Sequence, residues 1–293
     1  MKYAYYPGCS LHSTAKEYDR SLRAVCEKVG IELEEVKNWI CCGSTPAHAT
    51  SKLLSLALPL KNLAEIEKSG FREVIVPCAA CFSRFKIALH EIDTEPRLAA
   101  EVEGIIEHKF RDGVKVYHPL DILSNSAELS TLTELVKNDL SGLKVVCYYG
   151  CLLTRPPKVT GFDVCEYPQS MDKILQAVGV STLDWSYKTD CCGASFALTR
   201  TEIVLKLSRD ILEGAKSVGA DAIAVACPMC HVNLDTRQEE IEQKYQVTYH
   251  LPIFYFTQLM GLAFDIPAEK LLLKRHLVDS EDLLERVKCP ITK

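Results

Sequence analysis

The sequence predicts an α/β protein made of two copies of one unit, each a mainly parallel sheet packed with helices, with cysteine clusters at the strand carboxyl ends. Three observations carry this expectation. Five cysteines recur in register: Cys9, Cys41, Cys42, Cys78 and Cys81 are answered by Cys151, Cys191, Cys192, Cys227 and Cys230, at offsets of 142, 150, 150, 149 and 149 residues. Strand patterns alternate with helix patterns through both halves, as in a parallel sheet with helical crossovers. Cys9, Cys78, Cys151 and Cys227 each follow directly on a strand pattern. Two units are too few for a solenoid, so the chain divides into domains 1–140 and 141–293.

The elements follow in order. Lys2 to Tyr6 is short and aromatic, as a strand should be, and Pro7-Gly8 ends it at Cys9. Thr14 to Gly30 sets Tyr18, Leu22, Val25, Cys26 and Val29 on one helical face, with Gly30 as the stop. Pro59 to Gly70 reads as a second amphipathic helix, and Phe71 to Val76 as a β-branched strand stopping at Pro77-Cys78. Val114 to Tyr117 is a strand, and a helix starts at Pro119. In the second unit Leu143 to Tyr149, Asp221 to Ala226 and Gln246 to His250 play the corresponding strand parts. Each unit is thus Rossmann-like. In an open parallel sheet ligands bind beyond the strand carboxyl ends, so the fold gathers cysteines that the sequence scatters. Each Cys-Cys-Gly turn opens a helix pattern, and a helix N-terminus stabilises a thiolate.

Composition narrows the function. The 293 residues are 47% hydrophobic and 25% charged, with a net charge of −5, so no cationic field invites nucleic acid or anionic membrane. The start MKYAYYPGCS lacks the cationic flank and apolar core of a signal peptide, and the longest apolar stretch, Leu251 to Ile266, falls short of the roughly 20 residues that span a bilayer. A cytoplasmic location with no membrane span is the expectation. No GxGxxG, Walker A, HExxH or GxSxG motif is present, which removes the basis for nucleotide, phosphoryl and hydrolase chemistry.

The fourteen cysteines are the abnormal feature, and in a reducing compartment they point to metal or redox work rather than disulfides. Zinc takes four ligands in a closed tetrahedron. Each unit here offers five thiols, two of them vicinal, and vicinal thiols chelate one tetrahedral ion poorly but can bind neighbouring metals of a cluster. Several irons also neutralise five thiolates better than one zinc does. An iron–sulfur cluster per unit is therefore expected, with zinc in one site as the lesser alternative.

The pattern Cys-x31-Cys-Cys-x35-Cys-x-x-Cys, followed by Cys-x39-Cys-Cys-x34-Cys-x-x-Cys, resembles the duplicated CCG (cysteine-rich) domain family. A chain of two such domains and little else is similar to the B-type subunit of heterodisulfide reductases, and YYPGCSLHS resembles their bacterial-type branch. The resemblance implies two non-cubane [4Fe-4S] clusters, one on Cys9, Cys41, Cys42, Cys78 and Cys81 and one on Cys151, Cys191, Cys192, Cys227 and Cys230. It implies a disulfide or thiol substrate handled between the clusters. Electrons would come from a C-type iron–sulfur electron donor and an A-type flavin-containing protein of the same kind of complex. Related CCG domains serve other redox complexes, so a non-catalytic electron-transfer or zinc/iron–sulfur scaffold role stands as the second reading.

The remaining chemistry-bearing residues have blander expectations. Cys26 lies on an apolar helix face and Cys147 inside a strand, both as core residues, while Cys165 and Cys289 lack a counterpart in the other unit and are taken as non-ligands. His118 and His250 end strands that the pattern aligns, a position open to a proton donor but more ordinary for a structural histidine. His48 is expected in solvent, and Leu251 to Ile266 as a last core helix.

Overall fold

The structure, a computed structural model, describes residues 1–110 and 113–286; Cys289 lies outside them. Four strands, β1 (Lys2–Tyr5), β2 (Glu32–Glu35), β3 (Glu73–Ile75) and β4 (Lys115–Tyr117), form one sheet in the order β2-β1-β3-β4. Four more, β5 (Lys144–Tyr148), β6 (Ser181–Leu183), β7 (Ala222–Val225) and β8 (Ile253–Tyr255), form a second in the order β6-β5-β7-β8. Every pairing is parallel. The α/β class and the duplication are thus as the cysteine register predicts. Tyr5 pairs with Ile75, and Ile75 with Tyr117, so the strands end level; Tyr148, Val225 and Tyr255 end level in the second sheet. The chain leaves β1 toward β2 and returns to the opposite side of β1 at β3. That reversal opens a crevice at the strand ends, where Cys9 follows β1 and Cys78 follows β3.

Several expectations need correction. β2 and β6 escaped the pattern because edge strands carry polar residues: β2 reads Glu-Leu-Glu-Glu, with only alternate side chains partly covered. The last strand is Ile253–Tyr255, not Gln246 to His250, which is a helix end and loop. His250 is exposed and precedes the strand, so it is no counterpart of His118. The true correspondence is His118 with Tyr255. Each begins a helix, and each backbone N–H donates to a side chain three residues on, to Asp121 Oδ2 at 2.8 Å and to Gln258 Oε1 at 2.9 Å. The helix expected at Pro59 starts at Lys52, where Ser51 caps it by accepting from the Leu54 N–H; Pro59 sits inside. After the second cysteine pair the chain makes only a 3-10 turn, Ala194–Phe196, where the first makes the helix Ser44–Thr50.

Leu251 to Ile266 is not one helix but β8 followed by the helix Phe256–Ala263, all of whose residues are buried. It is apolar on every side because it packs on its own sheet and against the first unit's helix Lys16–Lys28. Across that contact Ser21 and Thr257 share a hydrogen bond of 2.6 Å, and the rings of Tyr18 and Tyr255 stack at 4.4 Å between centroids. Arg275 donates to Glu17 at 3.0 Å along the same seam. No described helix is long and apolar enough to cross a membrane.

Candidate functional site

Each site begins where the first strand of its unit stops. Tyr6 and Tyr148 stand three residues before Cys9 and Cys151. Their hydroxyls donate to the carbonyls of Ile40 at 2.8 Å and Asp190 at 2.7 Å, the residues just before the cysteine pairs. One tyrosine thus ties the strand end to the Cys-Cys-Gly turn in both units. Gly8 and Gly150 follow with φ of +68° and +69°, a region other residues avoid. A Cβ there would also meet the sulfur of Cys81 at 3.3 Å or of Cys230 at 3.0 Å. These two glycines therefore let the CxxC cysteines come up against the first turn. Cys78 and Cys227 are the N-caps of the helices Ala79–Thr94 and Pro228–Asp235, whose N-terminal dipoles favour negative charge on them.

The fold brings the sequence-predicted cysteines together within each unit. Cys9 and Cys41 sulfurs are 4.0 Å apart and Cys42 and Cys81 are 3.1 Å apart; in the second unit Cys192 and Cys230 are 3.7 Å apart. Cys151 is a thiol partner of Cys191. All are free thiols, as is every described cysteine. Crowding splits their acidities. Cys42, hydrogen-bonded to Cys41 and Cys81, is held down to about 4, while Cys41 and Cys81 are pushed up. Cys191 is held to about 6 by Cys151, which rises in turn. Such a set carries a thiolate among neighbours that keep their protons. Cations in the site would let all five ionise, as metal binding to thiols requires. Among the described residues no group of three or more His, Cys, Asp or Glu side chains is arranged to hold a metal ion. The paired thiols suit the spread donors of a polynuclear cluster better than one tetrahedral zinc.

The two sites meet. Cys78 and Cys227, from opposite units, are electrostatic neighbours in the buried seam. His118 bolts the strand ends there: its Nε2 lies 2.9 Å from the Pro77 carbonyl and 3.2 Å from that of Ala226, the residues preceding Cys78 and Cys227. Both acceptors are carbonyls, so Nε2 carries the proton, and Nδ1 accepts from the Leu120 N–H. Burial lowers its pKa to about 4, which makes it a neutral structural residue rather than a proton donor. A cleft of about 80 Å³ opens beside the seam, lined by Ser44, Ala79 and Ala80 of the first unit and by Cys151, Cys191, Cys192, Cys227 and Cys230 of the second.

Cys26 and Cys147 are buried and outside both sites, Cys165 is half-buried, and His48 is exposed. The ties made by Tyr6 and Tyr148 were not foreseen from the sequence. Their shared position three residues before a repeated cysteine was the available signal.

Paired parallel sheets with opposed five-thiol clusters at their strand ends define a duplicated cysteine-rich α/β protein. The chain matches the cysteine-rich domain (CCG) family over residues 3–86 and again over 145–235, and it belongs to that family. It is 29% identical over 285 residues to the 8-methylmenaquinol:fumarate reductase membrane anchor subunit of Wolinella succinogenes, covering 96% of this chain and 99% of that protein. It is 24% identical over 292 residues to the B-type subunit of the ferredoxin:CoB-CoM heterodisulfide reductase of Methanosarcina mazei, covering 98% and 97%. Its fold is similar to the crystal structure of a hypothetical protein from Helicobacter pylori, with a TM-score of 0.75 at 12% identity. That match spans 95% of this chain and about half, 52%, of the other.

Proposed function

We propose that this chain is the iron–sulfur subunit of a heterodisulfide reductase-like complex, an oxidoreductase that reduces or forms a disulfide between two clusters. Cys9, Cys41, Cys42, Cys78 and Cys81 would hold one non-cubane [4Fe-4S] cluster, and Cys151, Cys191, Cys192, Cys227 and Cys230 the other, with 1–140 and 141–293 as the two domains. The observation that carries the reading is the seam at which His118 ties the residue before Cys78 to the residue before Cys227, which brings the two thiol sites together. Each cluster, when bound, would supply one electron and an iron able to hold one sulfur. Splitting a disulfide takes two electrons and leaves two thiolates, which matches two facing sites. The chain's own part is to hold the sites together through His118 and to admit a small sulfur compound through the cleft beside Cys151, Cys191 and Cys227. Electrons would come from an iron–sulfur partner protein and, behind it, a flavoprotein, since this chain has no flavin, nicotinamide or relay-cluster motif; we place the complex in the cytoplasm. The similarity to a fumarate reductase subunit favours a second reading, in which both sites only relay electrons.

The test is iron and acid-labile sulfide analysis of anaerobically purified protein, followed by assay of disulfide reduction with reduced viologen. Iron and sulfide at both sites with viologen-dependent release of thiols is the expected result. Zinc alone would overturn the cluster reading, and full clusters with no turnover of any disulfide would leave the relay.

A further inference from the structure

The two sites share a backbone but not a charge. Arg84 and Asn233 occupy equivalent places, each three residues after the last cysteine of its site, Cys81 or Cys230. Residues so spaced on a helix lie on one face, so each stands on the helix face that carries the last cysteine of its site. In the second unit Asn233 is buried, and its Nδ2 donates to the Cys192 carbonyl at 3.1 Å and to the Cys192 sulfur at 3.5 Å. In the first unit the half-buried guanidinium of Arg84 has the Cys42 thiol as its electrostatic partner. Among the described residues no carboxylate pairs with Arg84.

The other charges near the sites reinforce the contrast or cancel. Asp190 precedes the second cysteine pair, where the first has Ile40. Arg155 lies near Cys151 but is ion-paired with Glu166 at 2.7 Å. On the first side His12 faces Glu35 at 3.0 Å. What remains is a cation at the first site, and a neutral amide with a nearby anion at the second.

We propose that Arg84 makes the first site the electron acceptor of the pair, so that it takes up an electron at a higher potential than the second site does. This rests on the reading of both sites as iron–sulfur clusters. Reduction adds one negative charge, and a cation held close in partly dehydrated surroundings favours the reduced state, because screening by water is weak there. One electron from a one-electron reductant then fills the site beside Arg84, a second fills the site beside Asn233, and no bond is made or broken in either step. The duplicated pair becomes a sequence with a fixed order of filling.

The experiment is a potentiometric titration of the full-length, anaerobically loaded protein with dithionite, followed by electron paramagnetic resonance, with iron and sulfide measured on each sample. The wild type is expected to reduce in two separate steps. Arg84→Asn lowers the upper step toward the lower one and leaves the lower in place, Arg84→Lys keeps the separation, and Asn233→Arg raises the lower step. A full load of iron and sulfide with the upper step unmoved in Arg84→Asn overturns the role of Arg84 and leaves the clusters standing. Wild-type protein without iron overturns the cluster reading, and this inference with it. If Arg84→Asn loses its iron, Asn233→Arg decides: a raised lower step upholds the inference, and an unmoved one overturns it.

Discussion

The two units hold the same turns with the same devices and surround them with different ones. Tyr6 and Tyr148 make matching hydrogen bonds to the chain before each cysteine pair, and Gly8 and Gly150 make matching room for Cys81 and Cys230. Around that shared frame nearly every polar choice differs: Arg84 against Asn233, Ile40 against Asp190, and His118 against Tyr255. The rings at the seam differ as well. His118 stands edge-on to Phe82 and Phe162, whereas Tyr255 is stacked flat between Tyr18 and His231. Each unit lends one ring to the other, Tyr18 in one direction and Phe162 in the other. The geometry of a five-thiol site tolerates little change in the backbone that carries it, whereas its electrostatics can be altered one side chain at a time.

The largest effect that would sharpen this comparison is loss of metal. Cys42→Ala and Cys192→Ala should each empty their own site and leave the other loaded, measured as iron and sulfide per chain. Cys26→Ala and Cys165→Ala should retain the full load. Equal loss at both sites in either pair variant would mean that the units are not separate metal holders.

The second effect is on acid stability, and it separates His118 from Tyr255. His118 has a folded pKa lowered to about 4, below the ordinary histidine value of 6.5, because burial disfavours the charged ring. Its contribution is therefore complete above pH 6.5 and is lost as pH falls toward 4, a change of roughly 3 kcal/mol. Asp121 and Asp235 run the other way, since burial raises each to about 6 and their contribution is lost as pH rises through that value. The quantity to read is thus the difference between variants. In denaturant titrations from pH 7 to pH 4, His118→Gln should flatten the acid loss and Tyr255→Phe should leave its slope unchanged. Equal slopes in wild type and His118→Gln would contradict the buried neutral histidine.

The smallest effect is at the shared ties. Tyr6→Phe and Tyr148→Phe each remove one hydrogen bond worth about 1 kcal/mol, with the phenyl ring still filling its place. Each should speed iron loss to a chelator at its own site alone, followed by absorbance. Loss from the opposite site would show that the ties act on the whole molecule.

Much of this was legible from the cysteines. Their register predicts the duplication, the parallel sheets and the strand ends where thiols gather, because a strand must stop before a Pro-Gly or Pro-Cys turn. The edge strands β2 and β6 were not legible, since residues such as Glu32, Glu34 and Glu35 obey solvent rather than a core. The last strand was misplaced because Thr248-Tyr249-His250 imitates Val116-Tyr117-His118 in letters, while burial selects Ile253-Phe254-Tyr255 five residues later. The meeting of Cys78 with Cys227 depends on how the units pack, which no local pattern encodes. The same holds for His118, whose two acceptors lie 41 and 108 residues away in the chain.

The claim on which the proposed function turns is that one substrate touches both sites. Its most direct test is to add a thiol substrate to the anaerobic, cluster-loaded protein and record the electron paramagnetic resonance of each site, assigned through Cys42→Ala and Cys192→Ala. A substrate bridging the sites predicts that the thiol or disulfide changes the signals of both sites in the intact protein. A change confined to one signal, with the other unaffected at saturating ligand, would contradict that bridge and leave two clusters in series.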